Sequence, residues 1–218
     1  YIIGETEFMG LNFFVNRDVL IPRQETEIVV ETVIKLLTSY QLPLTILDIG
    51  TGSGNIAISL AKYMEDVKVF ATDISRDALK IAKKNAKFNN VSDKIIFLYS
   101  NLLSQFSEYK GINSETKFDL IVSNPPYIKS SEIDTLQEEI RFEPRIALDG
   151  GEDGLKFYTK IIPMSKKFLK KNGLLVFEIG YHHLQKVKEL LKEHGFKNIE
   201  TIKDYLQIER VIYGQNCN

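Results

Sequence analysis

A chain of 218 residues is long enough to bury a sizeable core, and its 44% hydrophobic and 26% charged residues are ordinary for a globular protein. A net charge of −1 argues against stable binding of nucleic acid, and no apolar run approaches the roughly 20 residues of a membrane span. The single cysteine, Cys217, excludes an internal disulfide or a cysteine-based metal site. We therefore expect a cytoplasmic protein with no metal ion and no membrane association.

The first part of the chain, residues 1–22, is predicted to form a β-hairpin that links to a main domain over residues 23–218. Pro22 ends this extended piece, and a helix with apolar residues at helical spacing follows it. Thr26 is expected to cap that helix. Glu25 either complements the helix dipole or contacts a ligand from the lip of a crevice.

Strands and helices alternate through the rest of the chain, which predicts an α/β fold with a mostly parallel, doubly wound sheet. The predicted strands cover residues 44–49, 67–72, 94–99, 118–123 and 174–179, with two late strands near 199 and 210–213. The predicted helices cover residues 55–64, 75–88, 155–171 and 184–194. The segment 128–151 is acidic, polar and irregular, which is typical of a lid or a substrate loop.

The lysine and histidine side chains do not indicate a further binding site. The lysine pairs at 166–167 and 170–171 are predicted to lie on the solvated face of the helix 155–171. The three histidines, His182, His183 and His194, do not form a zinc motif, and we expect them on helix surfaces.

A glycine-rich turn follows the first strand of the alternation and opens a helix. Its three glycines, Gly50, Gly52 and Gly54, allow the backbone to approach a ligand closely. Asp73 ends the next strand about 20 residues further along, where a carboxylate accepts hydrogen bonds from ribose hydroxyls. The two features together predict nucleotide binding. The alternative is a tight strand–helix turn that binds nothing.

The spacing of this turn departs from the dinucleotide pattern, because its third glycine comes one residue early. Asp48 precedes the first glycine, where it would repel a pyrophosphate and attract a cationic amino-acid group. This pattern favours S-adenosylmethionine and leaves an NAD-dependent oxidoreductase as the weaker alternative. Asn101 is placed to meet an adenine edge after the third strand, with Leu102 beside it. The predicted cofactor contacts are Asp48, Gly50, Thr51, Gly52, Ser53, Gly54, Asp73, Ile74, Asn101, Leu102 and Asn124.

The sequence Asn124-Pro125-Pro126-Tyr127 ends the fourth strand of the alternation, because a proline fixes φ and has no N–H for the sheet. The Asn124 side chain and the Pro125 carbonyl offer two acceptors that suit a substrate –NH₂ group. Tyr127 adds a flat wall for a planar amide or base. A plain turn after a strand is the alternative interpretation of these four residues.

Several segments together resemble the HemK/PrmC protein-glutamine methyltransferases over nearly the whole chain. The matching segments are residues 19–27, 47–57, 77–79, 85–86, 123–128, 143–155 and 178–181. Three positions depart from the family pattern. The chain has Gln24 where the family usually has proline, Asn101 where it has an acid, and no glycine in the Asp-x-x-Gly-x-x-Arg region at residues 204–210.

The resemblance implies a Rossmann-like class I S-adenosylmethionine-dependent methyltransferase with a seven-stranded sheet. It implies transfer of a methyl group to the glutamine nitrogen of the Gly-Gly-Gln motif in class I peptide chain release factors, with S-adenosylhomocysteine as the product. The residues expected to act on the substrate are Asn124, Pro125 and Tyr127, with Pro126, Arg23 and Glu25 as further contacts. Family members carry an N-terminal helical domain. Because this chain starts at Tyr1 without a methionine, we expect that domain to be missing.

Besides the NAD-dependent oxidoreductase given above, two alternatives to this function remain at the level of sequence. A nucleic-acid adenine-N6 methyltransferase uses the same Asn-Pro-Pro-Tyr sequence on a flipped base. A scaffold that binds the cofactor without turnover is the non-enzymatic alternative.

Overall fold

A computed structural model describes residues 3–104, 106, 109 and 116–217 as an α/β fold. The strands are β1 (Glu5–Phe8), β2 (Leu11–Phe14), β3 (Leu44–Ile49), β4 (Val67–Asp73), β5 (Ile95–Tyr99), β6 (Phe118–Ser123), β7 (Leu169–Glu178), β8 (Phe196–Lys203) and β9 (Glu209–Asn216). The helices are α1 (Gln24–Leu37), α2 (Asn55–Tyr63), α3 (Arg76–Phe88), α4 (Glu138–Arg141), α5 (Tyr158–Ser165) and α6 (Leu184–Glu193), with 3₁₀ turns at Ile133–Thr135 and Arg145–Ala147. None of the helices in the described ranges is both long and apolar enough to cross a membrane.

Seven strands form one sheet in the order β5-β4-β3-β6-β7-β9-β8. Strands β3 to β7 pair in parallel, and β9 pairs antiparallel with both β7 and β8. The chain moves outward from β3 to β5 and then returns to place β6 on the other side of β3. The carboxyl ends of β3 and β6 therefore flank a topological switch point, where ligands bind in open α/β sheets. This topology confirms the predicted doubly wound, mostly parallel sheet.

Hydrophobic clusters cover both faces of the sheet, as the alternation of side chains along a strand requires. In β3, Leu44 and Ile46 belong to one cluster, whereas Leu47 and Ile49 belong to the other. Full burial of each such side chain contributes about 1.5–3 kcal/mol. These buried strands hold the ends of β3 and β6 rigidly at the switch point.

The hairpin of β1 and β2 packs onto the main body of the protein. Phe13 is fully buried and belongs to the same cluster as the first face of the sheet. Asn85 of α3 is also fully buried, and its amide accepts from Phe14 N (2.7 Å) and donates to Phe14 O (3.0 Å). The same Nδ2 donates to Ser53 O at 2.9 Å. Asn85 thus joins the hairpin to the glycine-rich turn.

The structure corrects the predicted helix over residues 155–171. Helix α5 ends at Ser165, and β7 already begins at Leu169. Asn172 has a positive φ of 63°, and the pairing of β7 with β6 shifts register beside it, so β7 is two extended pieces joined at an irregularity. Lys170 therefore lies on a strand, where its Nζ pairs with both oxygens of Asp119 at 2.9 and 2.8 Å. The prediction that Lys170 and Lys171 lie on a helix face is wrong, and Lys166 and Lys167 follow the last residue of α5 instead of lying within it.

The histidines are also less exposed than predicted. His183 precedes α6 and is half-buried, with its ring 6.2 Å from that of Tyr127 and 6.3 Å from that of Tyr158. His194 follows α6 and is half-buried as well, and only His182 is exposed.

The turn between β8 and β9 has a residue in the left-handed region where the family pattern has glycine. Gln207 has a φ of 64°, and its side chain is exposed. Asp204 organises this turn by accepting from the N–H groups of Leu206 (2.9 Å) and Ile208 (3.0 Å). The left-handed conformation costs an L-residue about 1–2 kcal/mol, and the higher unfolded-state entropy of glycine offsets part of that difference.

We expect Gln207→Gly to raise the free energy of unfolding by about 1 kcal/mol, which corresponds to a rise of roughly 2–4 °C in Tm. Thermal unfolding followed by circular dichroism measures the effect. Gln207→Ala is the matched control, since it removes the amide but keeps the Cβ, and we expect no gain from it. Equal gains in both variants would show that the backbone conformation is not the cause.

Candidate active site

A cavity of about 390 Å³ lies at the carboxyl ends of β3, β4, β5 and β6. It brings together most of the side chains that the sequence analysis selects from separate segments. The predicted site residues that line it are Arg23, Gly50, Thr51, Gly52, Ser53, Asp73, Ile74, Asn101, Leu102, Asn124, Pro125 and Pro126. The glycine-rich turn and the Asn-Pro-Pro segment thus face one volume.

The glycine-rich turn is held by hydrogen bonds to the end of β4. The N–H groups of Gly50 and Thr51 both donate to Thr72 O at 2.9 Å, and Gly52 N donates to Asp73 Oδ2 at 2.9 Å. Gly54 is the N-cap of α2 with a φ of 85°, and an added Cβ would lie 2.8 Å from the Ile58 side chain. Gly54 therefore gives the turn its close packing and is not among the cavity residues.

Asp48 is buried directly behind the turn. The Thr51 hydroxyl donates to its Oδ2 at 2.7 Å. Its other oxygen, Oδ1, is buried without a hydrogen-bond partner in the described ranges. Burial raises the pKa of the Asp48 carboxyl to about 7. Asp48 is not one of the cavity residues in the described ranges.

Asp73 lies at the carboxyl end of β4 and lines the cavity. Its Oδ1 accepts from Ser75 N at 2.8 Å, which together with the bond from Gly52 fixes the carboxylate on the backbone. Burial raises the pKa of this carboxyl as well. Ile74 follows it as a partly exposed apolar wall, and Leu102 faces the same volume with a positive φ of 55°. The apolar side chains of Ile74 and Leu102 offer surfaces against which a planar base can pack.

Asn124 stands at the tip of β6, held by a chain of side-chain hydrogen bonds. Its Nδ2 donates to Thr26 Oγ1 at 3.1 Å, and the Thr26 hydroxyl donates to Glu178 Oε2 at 2.6 Å. The other oxygen of Glu178 accepts from the Tyr127 hydroxyl at 3.1 Å. The prediction that Thr26 caps α1 is wrong, because Arg23 holds the N-cap position and Thr26 points into the protein. Tyr127, which was expected to form a wall, is not among the described cavity residues.

Arg23 lines the cavity and pairs with a carboxylate from the irregular segment 128–151. Its Nη2 contacts both Oε1 (2.7 Å) and Oε2 (2.8 Å) of Glu143, which is buried. Ile146 of the same segment also lines the cavity, so part of this segment forms one wall. Glu25 lies exposed in the first turn of α1 and is not one of the cavity residues in the described ranges.

Three side chains that matter for this geometry were given no role in the sequence analysis of the site. Thr26, Glu143 and Glu178 all lie within segments that resemble the family, and that resemblance is the signal that would have selected them. Their pairings join positions that are far apart in the chain, so periodicity and spacing do not reveal them.

Comparison of the sequence with known proteins gives a match to one family model and to relatives that share one name. A family model described as the methyltransferase small domain matches residues 25–208. The release factor glutamine methyltransferase of Clostridium acetobutylicum is 45% identical over 215 residues, which is 97% of this chain and 73% of that protein. The enzyme of the same name from Fusobacterium nucleatum is 41% identical over 218 residues, which is 100% of this chain and 59% of that protein.

The chain belongs to the release factor glutamine methyltransferases.

A solved structure agrees with this membership of the release factor glutamine methyltransferases. The protein-(glutamine-N5) methyltransferase (release factor-specific) of Alicyclobacillus acidocaldarius is 28% identical, with a TM-score of 0.56 over 94% of this chain and 99% of that chain. The resemblance to the HemK/PrmC family is thereby confirmed. The cavity, with its glycine-rich turn and its Asn-Pro-Pro segment, is the candidate active site of this methyltransferase.

The segment 128–151 packs against the Asn-Pro-Pro-Tyr segment with no room for a side chain at Gly150. An added Cβ there would lie 2.6 Å from Tyr127 Cα and 2.9 Å from Pro126 O, which are both backbone atoms. We expect Gly150→Ala to displace this backbone, to lower the free energy of unfolding by about 1–3 kcal/mol and to lower kcat roughly 100-fold. Thermal unfolding and methylation kinetics measure the two effects.

Gly214→Ala is the matched control for Gly150→Ala. Its added Cβ would approach only side-chain atoms of Phe196 and Ile199, at 3.2 and 3.4 Å, on β8. We expect a smaller loss of stability and an unchanged kcat. A Gly150→Ala enzyme with normal kcat would contradict a tight fit of this segment against the active site.

Proposed function

We propose that this chain transfers a methyl group from S-adenosylmethionine to the glutamine side-chain nitrogen of the Gly-Gly-Gln motif in class I peptide chain release factors. The observation that carries the proposal is the joint placement of the glycine-rich turn and of Asn124 and Pro125 in one cavity. The names of the relatives support the same substrate class.

We also propose that residues 1–22 link to a methyltransferase domain over residues 23–218.

The residues of the cofactor half fit S-adenosylmethionine. The buried Asp48 Oδ1, which lacks a hydrogen-bond partner in the described part of the chain, suits the ammonium group of an amino acid, directly or through a water molecule. Asp73 at the end of β4 suits ribose hydroxyls, and Ile74 and Leu102 offer apolar surface to a base. When bound, this cofactor supplies an electrophilic methyl group on a sulfonium.

The substrate half acts by orienting a weak nucleophile. An amide nitrogen attacks poorly because its lone pair is delocalised, so the protein must present it in a reactive geometry. Asn124 Oδ1 and the Pro125 carbonyl accept hydrogen bonds from the glutamine NH₂ and favour the positive charge that develops on nitrogen. Tyr127 keeps its proton, since burial raises the pKa of its hydroxyl well above the usual range. Tyr127 therefore cannot accept the surplus proton of the methylated nitrogen, which in this proposal passes to solvent.

Mass spectrometry of a class I release factor, after incubation with the chain and S-adenosylmethionine, tests the proposal. We expect a gain of one methyl group on the Gly-Gly-Gln glutamine and none on a variant with glutamate at that position. Methylation of an adenine-containing oligonucleotide in place of the release factor would favour the nucleic-acid alternative. Cofactor binding without transfer to either substrate would favour the scaffold alternative.

A further inference from the structure

Thr26 and Glu178 form a hydrogen-bonded support for Asn124; Thr26 lines the cavity beside Asn124, and Glu178 lies behind Thr26, outside the lining in the described ranges. Thr26 is buried in α1 and Glu178 is buried at the end of β7, with 1% and 2% of their surfaces exposed. The Glu178 main chain is held as well, because the Tyr158 hydroxyl donates to its carbonyl oxygen at 2.9 Å. The support therefore rests on rigid parts of the sheet and the helix.

The chemistry of these groups fixes the direction of each hydrogen bond. Burial raises the pKa of the Glu178 carboxyl, but hydroxyl donors on both of its oxygens, Thr26 at 2.6 Å and Tyr127 at 3.1 Å, and the positive charge of Arg210 favour its ionised form. We take Glu178 as a carboxylate that accepts both bonds. A hydroxyl has one proton, and that of Thr26 goes to Glu178. Thr26 can therefore only accept from Asn124, and the atom of Asn124 that faces it must be the NH₂.

This direction decides what Asn124 presents to the cavity. The two ends of an amide differ in chemistry but hardly in shape, so nothing steric prevents a side-chain amide from turning over. With Nδ2 bound to Thr26, Oδ1 is the end that remains for a substrate NH₂. The opposite orientation would place two NH₂ groups face to face, and the acceptor that the reaction needs would be lost.

We propose that Thr26 and Glu178 are positioning residues that hold the Asn124 amide with Oδ1 toward the substrate nitrogen. The inference rests on the proposed function, since it assigns the support of the residue that accepts from the glutamine. In this proposal neither residue contacts the reacting atoms, and both act through Asn124. Their loss should therefore lower kcat, which depends on the orientation of the substrate amide, and should leave the affinity for the cofactor unchanged.

The variant Thr26→Val tests this role, because it keeps a β-branched side chain of nearly the same shape and removes only the hydroxyl. We expect kcat for release factor methylation to fall roughly 10- to 100-fold, as for the loss of one well-placed hydrogen bond. The affinity for S-adenosylhomocysteine, measured by calorimetry, should stay within about twofold to threefold of wild type. Thr26→Ser restores the hydroxyl and should restore kcat to within a few-fold.

Two further variants separate positioning from a merely structural role. Thr32→Val removes a hydroxyl from another buried threonine of α1 and should leave kcat unchanged. Glu178→Gln keeps the packing shape but replaces one acceptor oxygen by a donor, so Thr26 is no longer forced to accept from Asn124. We expect its kcat to fall while cofactor affinity is kept, and this variant also decides the matter if Thr26→Val does not fold.

The outcomes distinguish the inference from the proposed function. A wild-type chain that methylates no release factor would overturn the proposed function. A wild-type chain that is active, with Thr26→Val or Glu178→Gln keeping kcat within twofold, would overturn the positioning role alone. A fall in kcat that Thr26→Ser does not rescue, or that comes with an equal loss of cofactor affinity, would assign these residues to the fold instead.

Discussion

Replacing Asn124 by alanine is expected to lower kcat for methyl transfer roughly a thousandfold, with cofactor affinity changed only a few-fold. The substitution removes the side-chain acceptor that stabilises charge on the reacting nitrogen, and a single preorganised group of this kind is worth about 10²–10³ in rate. The glycine-rich turn and Asp73 are held by their own backbone hydrogen bonds, so their geometry does not depend on Asn124. Single-turnover kinetics and calorimetry with S-adenosylhomocysteine measure the two quantities separately.

Asn101→Ala is the matched control for Asn124→Ala, because it removes the same amide from a cavity residue that follows β5, which two strands separate from β6 in the sheet order. We expect it to change cofactor affinity more than kcat. If Asn124→Ala kept a near-normal kcat, the mechanism in which two acceptors orient the substrate amide would have to be abandoned.

Cofactor affinity is expected to fall roughly tenfold between pH 8 and pH 6. Burial raises the pKa of Asp48 to about 7, so its carboxyl loses its negative charge across this range and no longer attracts the ammonium group of the cofactor. The affinity should therefore be high above pH 7 and should decline below it. Calorimetric titration with S-adenosylhomocysteine at several pH values measures the profile.

Asp48→Asn is the control for this pH dependence. It should bind weakly at every pH and show a nearly flat profile. The stability of the ligand-free protein should respond with the opposite sign. Native Asp48 keeps a proton between pH 4 and 7 that the unfolded chain has released, so wild-type stability should decline as the pH rises from 4 to 7, relative to Asp48→Asn. A pH profile of cofactor binding that persists in Asp48→Asn would exclude Asp48 as its origin.

The parts of the site that the sequence predicts are those set by local backbone chemistry. Two prolines cannot extend a central strand, and β6 accordingly ends at Ser123. The glycines of the turn all adopt the positive φ values for which glycine is suited. These features depend on a few neighbouring residues, so a single sequence contains the whole signal.

The parts that sequence analysis misses depend on pairing between distant segments. The hydrogen bond from Thr26 to Glu178 spans 152 positions, and the pair of Arg23 with Glu143 spans 120. A threonine near a helix start looks like a cap until the strand that it meets is known. The same reason explains Lys170, whose helical-looking surroundings become a strand once β6 and Asp119 lie beside it.

The side-chain amide of Asn85 connects the β1–β2 hairpin to the glycine-rich turn. This one buried side chain forms hydrogen bonds with the backbone of the hairpin at Phe14 and with the backbone of the glycine-rich turn at Ser53. A force applied to the hairpin therefore acts on the loop that receives the cofactor. We therefore expect a displacement of the hairpin to be transmitted through Asn85 to the glycine-rich turn, and so to change the affinity of that turn for a ligand.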